Sequence, residues 1–527
     1  MKKLFKFIVS SKYTSIKLVL SIFVFSIFDL LSLFLFSNII SSKISSNNIL
    51  IFSIFIFSIN ILFQSIGIKL FSYISFQIVS NKFNILFKKL LDCRAYISTS
   101  DERINKLFGV ESLRISENLV LPAINAFARF ISTLFILSYI LYKSPSLVLS
   151  FTFILALVYL VLFLIVRPKI KKFDYRREKA LTNVIEDIDF LNLYKIEILI
   201  YKMKDKINKN FFNNQIDYVK NSSEISRLSS LPRPLIEGTI FISVSASILL
   251  ISNFDIAILA IIGIGALKIL PSMQMIFAST SSILGNISAL EEYLYFINLC
   301  DTEINKIQKT SSRNIKVDKN WKIITIKNIS SKTTKRLKFN IDNLIIHRGQ
   351  KIAICGESGI GKSTLLNCIS GLDLNTEIKI QIDQKEFKPR DLITSGFISY
   401  LKQNALIFKG TLKENITLFR NFDEEYLINL IRNLELTESN GDFMSLKKPL
   451  YSKGSNLSTG QMQRIAFLRT LLFKRPVFLL DEPTSSVDLN LRNLMWQELC
   501  KKPDCTVICV THDLNFKKKF DKQITLK

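Results

Sequence analysis

Six runs of about 20 mostly apolar residues crowd the first 290 or so positions, and each is long enough to cross the roughly 30 Å hydrocarbon core of a bilayer as a helix. They extend from Ile16 to Ile40, Ile49 to Tyr73, Leu119 to Tyr142, Leu147 to Val166, Leu235 to Asn253 and Ile256 to Ala278. Helices of this length in a soluble protein would show a polar face, and these show little amphipathicity. The first run is too long for a secretory signal and no small-residue cleavage site closes it, so it is expected to stay as the first span.

Lys and Arg set the orientation. Lys2, Lys3, Lys6 and Lys12 precede the first span; Lys88, Lys89, Arg94, Arg103 and Arg114 lie between the second and third; Arg167, Lys169, Lys171, Lys172, Arg176 and Arg177 lie between the fourth and fifth. The opposite loops are short and offer chiefly Lys43 and Lys143. The positive-inside rule then puts both termini and both long loops in the cytoplasm. Much of the net charge of +27 is thereby explained as topology determinants beside anionic lipid headgroups, and no nucleic-acid-binding motif supports a nucleic-acid partner. The two long loops carry apolar residues at helical spacing among charges and read as continuations of the membrane helices. Seven cysteines without a CxxC pair or a mixed Cys and His cluster suggest neither a disulfide framework nor structural zinc.

Composition changes near Leu299. "CDTEINKIQKTSSRNIKVDKN" reads as a polar linker, giving a transmembrane domain over 1–300, a linker over 301–320 and a soluble domain over 321–527. In the last of these, "KIAIC" is a short buried strand that runs into "GESGIGKST". Gly356, Gly359 and Gly361 let the backbone turn so that successive N–H groups, with those of Glu357, Ser358 and Ile360, face one point at the start of a helix. That arrangement binds phosphate, with Lys362 reaching the β- and γ-phosphates, the Ser363 hydroxyl on Mg²⁺ and Thr364 following in the first turn. "RPVFLLDEPTSSVD" supplies a second apolar strand ending in Asp481, placed to hold Mg²⁺, and in Glu482, placed by an attacking water. "NLSTGQMQR" puts Ser458, Thr459, Gly460 and Gln461 before an amphipathic helix, where they present either a second phosphate cradle or an ordinary helix cap.

Together these stretches resemble the ATP-binding cassette (ABC) family. The glycine loop resembles its Walker A motif, "VFLLD" its Walker B strand, LSTGQ its signature, Gln403 in "ISYLKQNALIF" its Q-loop, Asp488 in "SSVD" its D-loop and His512 its switch histidine. Six spans followed by one cassette resemble a half-exporter, so the implied fold class is an all-α transmembrane domain followed by an α/β P-loop domain. The resemblance implies an ATPase using ATP and Mg²⁺. In it Gln403 and Asp481 arrange the metal with Ser363, Glu482 polarises water and His512 contacts the γ-phosphate. It also implies that two cassettes pair head to tail, so that Ser458, Gly460 and Gln461 of one chain close on the ATP held by the Walker A loop of the other; a homodimer suffices, though a heterodimer is open. The implied location is the inner (cytoplasmic) membrane, multi-pass, with the cassette in the cytoplasm.

Four departures from the family pattern stand out. Thr333 occupies the place of the adenine-stacking aromatic; Thr459 replaces the second signature glycine and is expected to crowd the turn; Ser452 stands where exporters carry a coupling glutamate; and only fifteen residues follow His512, so the final strands and helices are expected to be missing. His347 falls in a turn and receives no role. For the cargo, "LPRPLIEGTIF" and "GALKILPSMQMIFASTSSI" are similar to segments of bacterial lipid-linked oligosaccharide flippases. Arg129 and Lys268, ionisable residues inside spans, are candidates to meet an anionic headgroup, with snorkelling or helix packing as the alternative for each. Three readings follow, in order: a flippase for a lipid-linked glycan or related amphipathic cargo, a peptide or small-molecule exporter, and a cassette that gates a channel or regulates a partner.

Overall fold

The computed structural model describes all residues except 1, 10–11, 42–46, 94–100, 144, 232–233, 236, 240–241, 243–255, 311–316, 319, 330–340, 373–377, 439, 474, 486, 502–503, 513–518 and 527. Most of the Leu235 to Asn253 stretch and Thr333 therefore lie outside the described residues. The chain forms two compact units, one of Met1–Asp92 with Ser98–Asp301 and one of Thr302–Lys527 with Cys93–Ile97.

The first unit is helical: α1 (Lys2–Val9), α2 (Lys12–Ser41), α3 (Asn47–Cys93), α4 (Leu121–Lys143), α5 (Pro145–Leu193), α6 (Lys204–Ser230), α7 (Ile256–Leu284) and α8 (Ile287–Thr310). Helix α3 has 47 residues and α5 has 49, so each is about 70 Å long at 1.5 Å per residue, more than twice the bilayer core. The long loops thus begin as uninterrupted extensions of membrane helices. Among the described residues, Ser58–Cys93 and Arg103–Tyr142 are long and apolar enough to cross a membrane, and Val19–Leu31 is a shorter apolar helix. Ile61, Leu62, Ile66 and Ile68 on α3 are exposed, as apolar side chains facing lipid tails would be. The supposed linker starts differently from the sequence expectation, because α8 continues to Thr310. Its polar residues suit an exposed helix, and Glu303 and Lys306 pair at 2.7 Å one turn apart.

Beyond the third and fourth apolar runs, buried charges compensate one another. The Glu111 side chain is fully buried and accepts from Arg114 at 2.8 Å, Arg114 also meets Glu178 at 2.7 Å, and Arg177 meets Asp174 at 2.8 Å. Lys106 pairs with Glu178. π-Helical turns over Leu107–Glu111 and Ser116–Val120 flank Arg114.

Two larger sheets and a two-stranded one occur among the described residues of the second unit. Strands β1 (Ile323–Ile329), β2 (Ile341–His347), β4 (Lys379–Ile382) and β5 (Lys385–Phe387) form an antiparallel sheet in the order β2-β1-β4-β5. Strands β3 (Lys351–Gly356), β6 (Ile398–Leu401), β7 (Val477–Asp481), β8 (Thr506–Val510) and β9 (Lys522–Leu526) form a parallel sheet in the order β9-β3-β8-β7-β6. Every residue of β7 and β8 is buried, which is why both read as continuous apolar runs. Helices α9 (Lys362–Ile369), α10 (Thr459–Leu472) and α11 (Leu489–Cys500) belong to this unit.

Two expectations are corrected here. A final strand is present after His512, since β9 pairs with β3 along its whole length; the alternation in "KQITL" is too brief to announce an edge strand. His347 ends β2 rather than sitting in the turn, and its N–H donates to the Gln350 side chain at 3.0 Å. None of the seven cysteines forms a disulfide, and six are buried.

Removing one member of the buried charge network leaves its partners uncompensated. Glu111→Ala, which leaves Lys106, Arg114 and Arg177 facing only Asp174 and Glu178, should cost about 3–5 kcal/mol and lower the unfolding midpoint of the detergent-solubilised protein, whereas Glu224→Ala, at an exposed pair with Arg227, should leave it within experimental error.

Candidate functional site

The site forms where β3, β7 and β8 end on the same edge of the parallel sheet, the place where open α/β sheets bind ligands. Gly356 ends β3 at φ 153°; a Cβ there would lie 2.8 Å from the Leu526 carbonyl oxygen of β9, so glycine is required by the approach of the neighbouring strand. Gly361 caps α9 at φ 112°, a conformation that costs other residues strain. Between them Glu357, Ser358 and Gly359 are exposed, and Ile360 packs against the core.

Lys362 is buried and its Nζ donates to the Gly356 and Glu357 carbonyls at 3.0 and 2.8 Å. The ammonium is thus held over the glycine loop, whose backbone N–H groups lead into the α9 N-terminus. Ser363 begins α9 with Lys362, and its hydroxyl donates to Asp481 Oδ1 at 3.1 Å. Thr364 follows in the same turn, half-buried. Burial raises the Asp481 carboxyl above the usual carboxylate range, the Ser363 hydrogen bond opposes this, and Glu482 beside it raises it further. Burial pushes the Tyr400 phenol up, with Asp481 adding to the effect, and its hydroxyl bonds Asn367 of α9 at 3.1 Å.

Glu482 is the most constrained residue. Its φ is 48°, in the left-handed region that a glutamate rarely adopts, and the following Pro483 disfavours the ordinary helical alternative. Both of its backbone groups are fastened: its N–H donates to the Val510 carbonyl at 3.0 Å, and its carbonyl accepts from Gln463 Nε2 at 2.9 Å. Its side chain accepts from Gln403 Nε2 at 2.9 Å through Oε2 and lies 3.4 Å from His512 Nε2 through Oε1. Strain of this kind, of order 1–3 kcal/mol, persists where neighbours over-determine the backbone and is concentrated at functional positions.

The sequence-chosen residues therefore separate into two groups. Ser363, Asp481, Gln403, Glu482 and His512 are joined by direct contacts beside Lys362. Ser458, Gly460 and Gln461 belong to a second group at the α10 N-terminus. There the Ser458 hydroxyl accepts from the Gln461 N–H at 3.1 Å, Gln461 Oε1 accepts from the Ser458 N–H at 2.9 Å, and Gln461 Nε2 donates to the Thr437 carbonyl at 2.8 Å. This is a reciprocal capping box. Thr459 is exposed as the first helical residue and is not among the positive-φ positions, so its side chain does not crowd the turn as expected. Asp488 caps α11, accepting from the Leu491 N–H at 2.9 Å. Gln463 was not singled out from sequence. Its position two residues after Gln461, inside the same "GQMQR" stretch, was the available signal, because that spacing places it on the buried side of α10.

An oxygen-only set of a serine hydroxyl and a carboxylate in contact, with a glutamine amide near, fits a hard divalent cation such as Mg²⁺. No cluster of three or more His, Cys, Asp or Glu that could hold a metal ion occurs among the described residues.

A strand, a glycine loop closed by lysine, and a second strand ending in two carboxylates define a P-loop nucleotide-binding domain. The ABC transporter family model matches residues 339–485. The lipoprotein-releasing system ATP-binding protein LolD of Rickettsia prowazekii is 34% identical over 195 residues, 35% of this chain and 84% of that protein. The chain belongs to the ABC transporter family. The transport/processing ATP-binding protein ComA of Streptococcus pneumoniae is 26% identical over 426 residues, 75% of this chain and 56% of ComA. The sublancin-168-processing and transport protein SunT of Bacillus subtilis is 34% identical over 191 residues, 35% of this chain, and the match spans only 26% of SunT. Among solved structures, a bacterial Atm1-family ABC exporter with ATP bound superposes with a TM-score of 0.81, covering 98% of this chain and 93% of that one at 14% identity. The fold is that of an Atm1-type exporter, with a helical N-terminal domain and a C-terminal nucleotide-binding domain.

The raised Asp481 carboxyl sets a sign for stability. A folded-state pKa above the unfolded value favours the protonated form, so the stability it confers is present in acid and is lost as pH rises from the ordinary carboxylate range through the raised value. Asp481→Asn removes the charge and keeps an acceptor for Ser363. The nucleotide-free protein should then unfold at a higher temperature than wild type at pH 7, with a smaller difference at pH 4, while Mg²⁺-dependent ATP hydrolysis is lost.

Proposed function

We propose that this chain is an ATP-driven exporter acting as a homodimer in the cytoplasmic membrane, with the nucleotide-binding domain in the cytoplasm, and that it moves a lipid-linked glycan or related amphipathic cargo. The observation that carries the ATPase half of this reading is the Glu482 carboxylate, fixed by a strained and doubly fastened backbone within contact of Gln403 and His512 and next to the Asp481–Ser363 pair.

In this reading the Gly356–Thr364 loop holds the ATP phosphates, with Lys362 exchanging its two carbonyl partners for phosphate oxygens. Ser363, Asp481 and Gln403 would hold Mg²⁺, which would neutralise phosphate charge when bound. Glu482 accepts the proton of the attacking water, and His512, positioned beside it, donates to the γ-phosphate. Ser458, Gly460 and Gln461 supply the facing surface from the partner chain. Ser458 is exposed at the capped N-terminus of α10, and a helix N-terminus attracts anions. A boundary near residues 301–320 separates the membrane domain from the cassette.

The glycan reading of the cargo rests on the LPRP and ILPS segments. A peptide cargo is the second reading, favoured by the likeness to ComA and SunT, which are transport and processing proteins. Reconstitution into proteoliposomes separates them, because export of a fluorescent lipid-linked glycan without export of a labelled peptide supports the first, and the converse refutes it.

Glu482→Gln preserves shape and removes the base. ATP binding should remain near wild type while turnover in proteoliposomes falls by about 10²-fold or more. Wild-type-like hydrolysis would remove Glu482 from the chemistry.

A further inference from the structure

Gln463 of α10 bridges the two groups of site residues. Its side chain is buried, and its one amide nitrogen reaches two acceptors in the turn that follows β7: Nε2 donates to the Glu482 carbonyl at 2.9 Å and to the Ser485 hydroxyl at 3.2 Å. Helix α10 is itself fastened at that end. Arg464 donates to the Leu434, Glu435 and Gly460 carbonyls, and Gln461 to the Thr437 carbonyl, so Gln463 projects from a helix whose start is already seated.

The peptide after Glu482 needs such a partner. Its nitrogen belongs to Pro483 and carries no hydrogen, so the carbonyl is the only group by which that peptide can be held. The carbonyl also accepts from the Ser485 N–H at 3.3 Å, but Ser485 belongs to the same turn and moves with it. Among the described hydrogen bonds, Gln463 is therefore the tie from this peptide to the rest of the domain. The peptide before Glu482 is held from the other side, through its N–H, by the Val510 carbonyl of β8. With a restraint on each side of one Cα, φ and ψ are both set, and they decide where the Cα–Cβ bond and the carboxylate point. At a φ of 48°, an unrestrained glutamate would seldom keep that direction.

We propose that Gln463 is a positioning residue for ATP hydrolysis, holding the Glu482 backbone so that its carboxylate faces the attacking water. The proposal rests on the reading of Glu482 as the base. Gln463 needs no contact with nucleotide and acts through Glu482. Ser458 caps the same helix little more than one turn earlier, so the helix offered to a partner's nucleotide also holds the base of its own chain.

The test uses the full-length protein in lipid nanodiscs and follows ATP hydrolysis against ATP concentration, beside equilibrium binding of radiolabelled ATP. Gln463→Met keeps a side chain of similar length and removes both hydrogen bonds. The Glu482 carbonyl retains its bond from Ser485, and Ser485 is exposed, so its hydroxyl can turn to water and neither group is left buried and unsatisfied. In this variant kcat should fall roughly tenfold to a hundredfold, the scale of a reacting group displaced by about 1 Å, while KM and ATP binding stay within about twofold of wild type. Gln463→His, whose Nε2–H can stand about as far from the backbone as the glutamine amide, should restore most of kcat. The double variant Gln463→Met with Glu482→Gln should hydrolyse no more slowly than Glu482→Gln alone, because a residue that acts through Glu482 then has nothing left to position. Unchanged kcat in Gln463→Met, a loss that appears in ATP binding rather than in kcat, or a further loss in the double variant would each overturn the proposal. The reading beneath it fails separately: wild-type-like hydrolysis by Glu482→Gln rejects the base, whereas an inactive Glu482→Gln beside a fully active Gln463→Met rejects the positioning role alone.

Discussion

The hydrogen bond from the Ser363 hydroxyl to Asp481 ties the start of α9 to the end of β7, and the nucleotide site depends on that junction. It brings the backbone donors of the glycine loop to the carboxylates of the second strand and sets the Lys362 ammonium near both. Each side is itself constrained. Gly356 cannot accept a side chain because of Leu526, and Glu482 is held at positive φ by Val510 and Gln463. The cluster is therefore built from backbone positions that parallel strands fix, and its side chains need few rotamer choices to meet. Preorganisation of this type places charge where it develops during phosphoryl transfer.

Much of this was legible because short motifs fix local geometry. An apolar strand followed by GESGIGKS leaves little freedom for the loop, and "VFLLD" can only be a buried strand at this density of apolar residues. The resemblance gave Gln403 to the metal and Glu482 to the water; their direct contact and the backbone restraint on Glu482 were not expected, because φ depends on Val510 and Gln463, residues far away in sequence. The same cause explains the missed β9. Five residues of mixed polarity become a strand only because β3 offers them an edge. Thr459 was misjudged by analogy with glycine, since the capping box puts it at a helical position where a side chain fits. The helical start of the stretch after residue 300 was not legible for a related reason, since a mostly polar helix carries little periodic signal.

In the membrane unit, hydropathy and charge showed where helices run and how far they continue beyond the bilayer, and Arg129 and Lys268 inside their spans left cargo contact, snorkelling and helix packing open. Asp29 as the acid facing Arg129 and Lys268 could not be read from sequence, because the three lie on different helices and only packing brings them together.

The central claim is that one chain holds half of each of two nucleotide sites, with the glycine loop and carboxylates facing a capped α10 from a second copy. Its most direct measurement is the ATPase activity of a purified heterodimer, isolated through two different tags, that pairs a Lys362→Ala chain with a Gly460→Asp chain. Each lesion inactivates its own homodimer, the second by setting a carboxylate against the γ-phosphate. In the mixed dimer one composite site carries both lesions and the other carries neither, so activity above that of either homodimer is the predicted result. A heterodimer no more active than the mutant homodimers, together with cysteine crosslinks between positions 358 and 458 found only within single chains when ATP and Glu482→Gln hold the site closed, would contradict it.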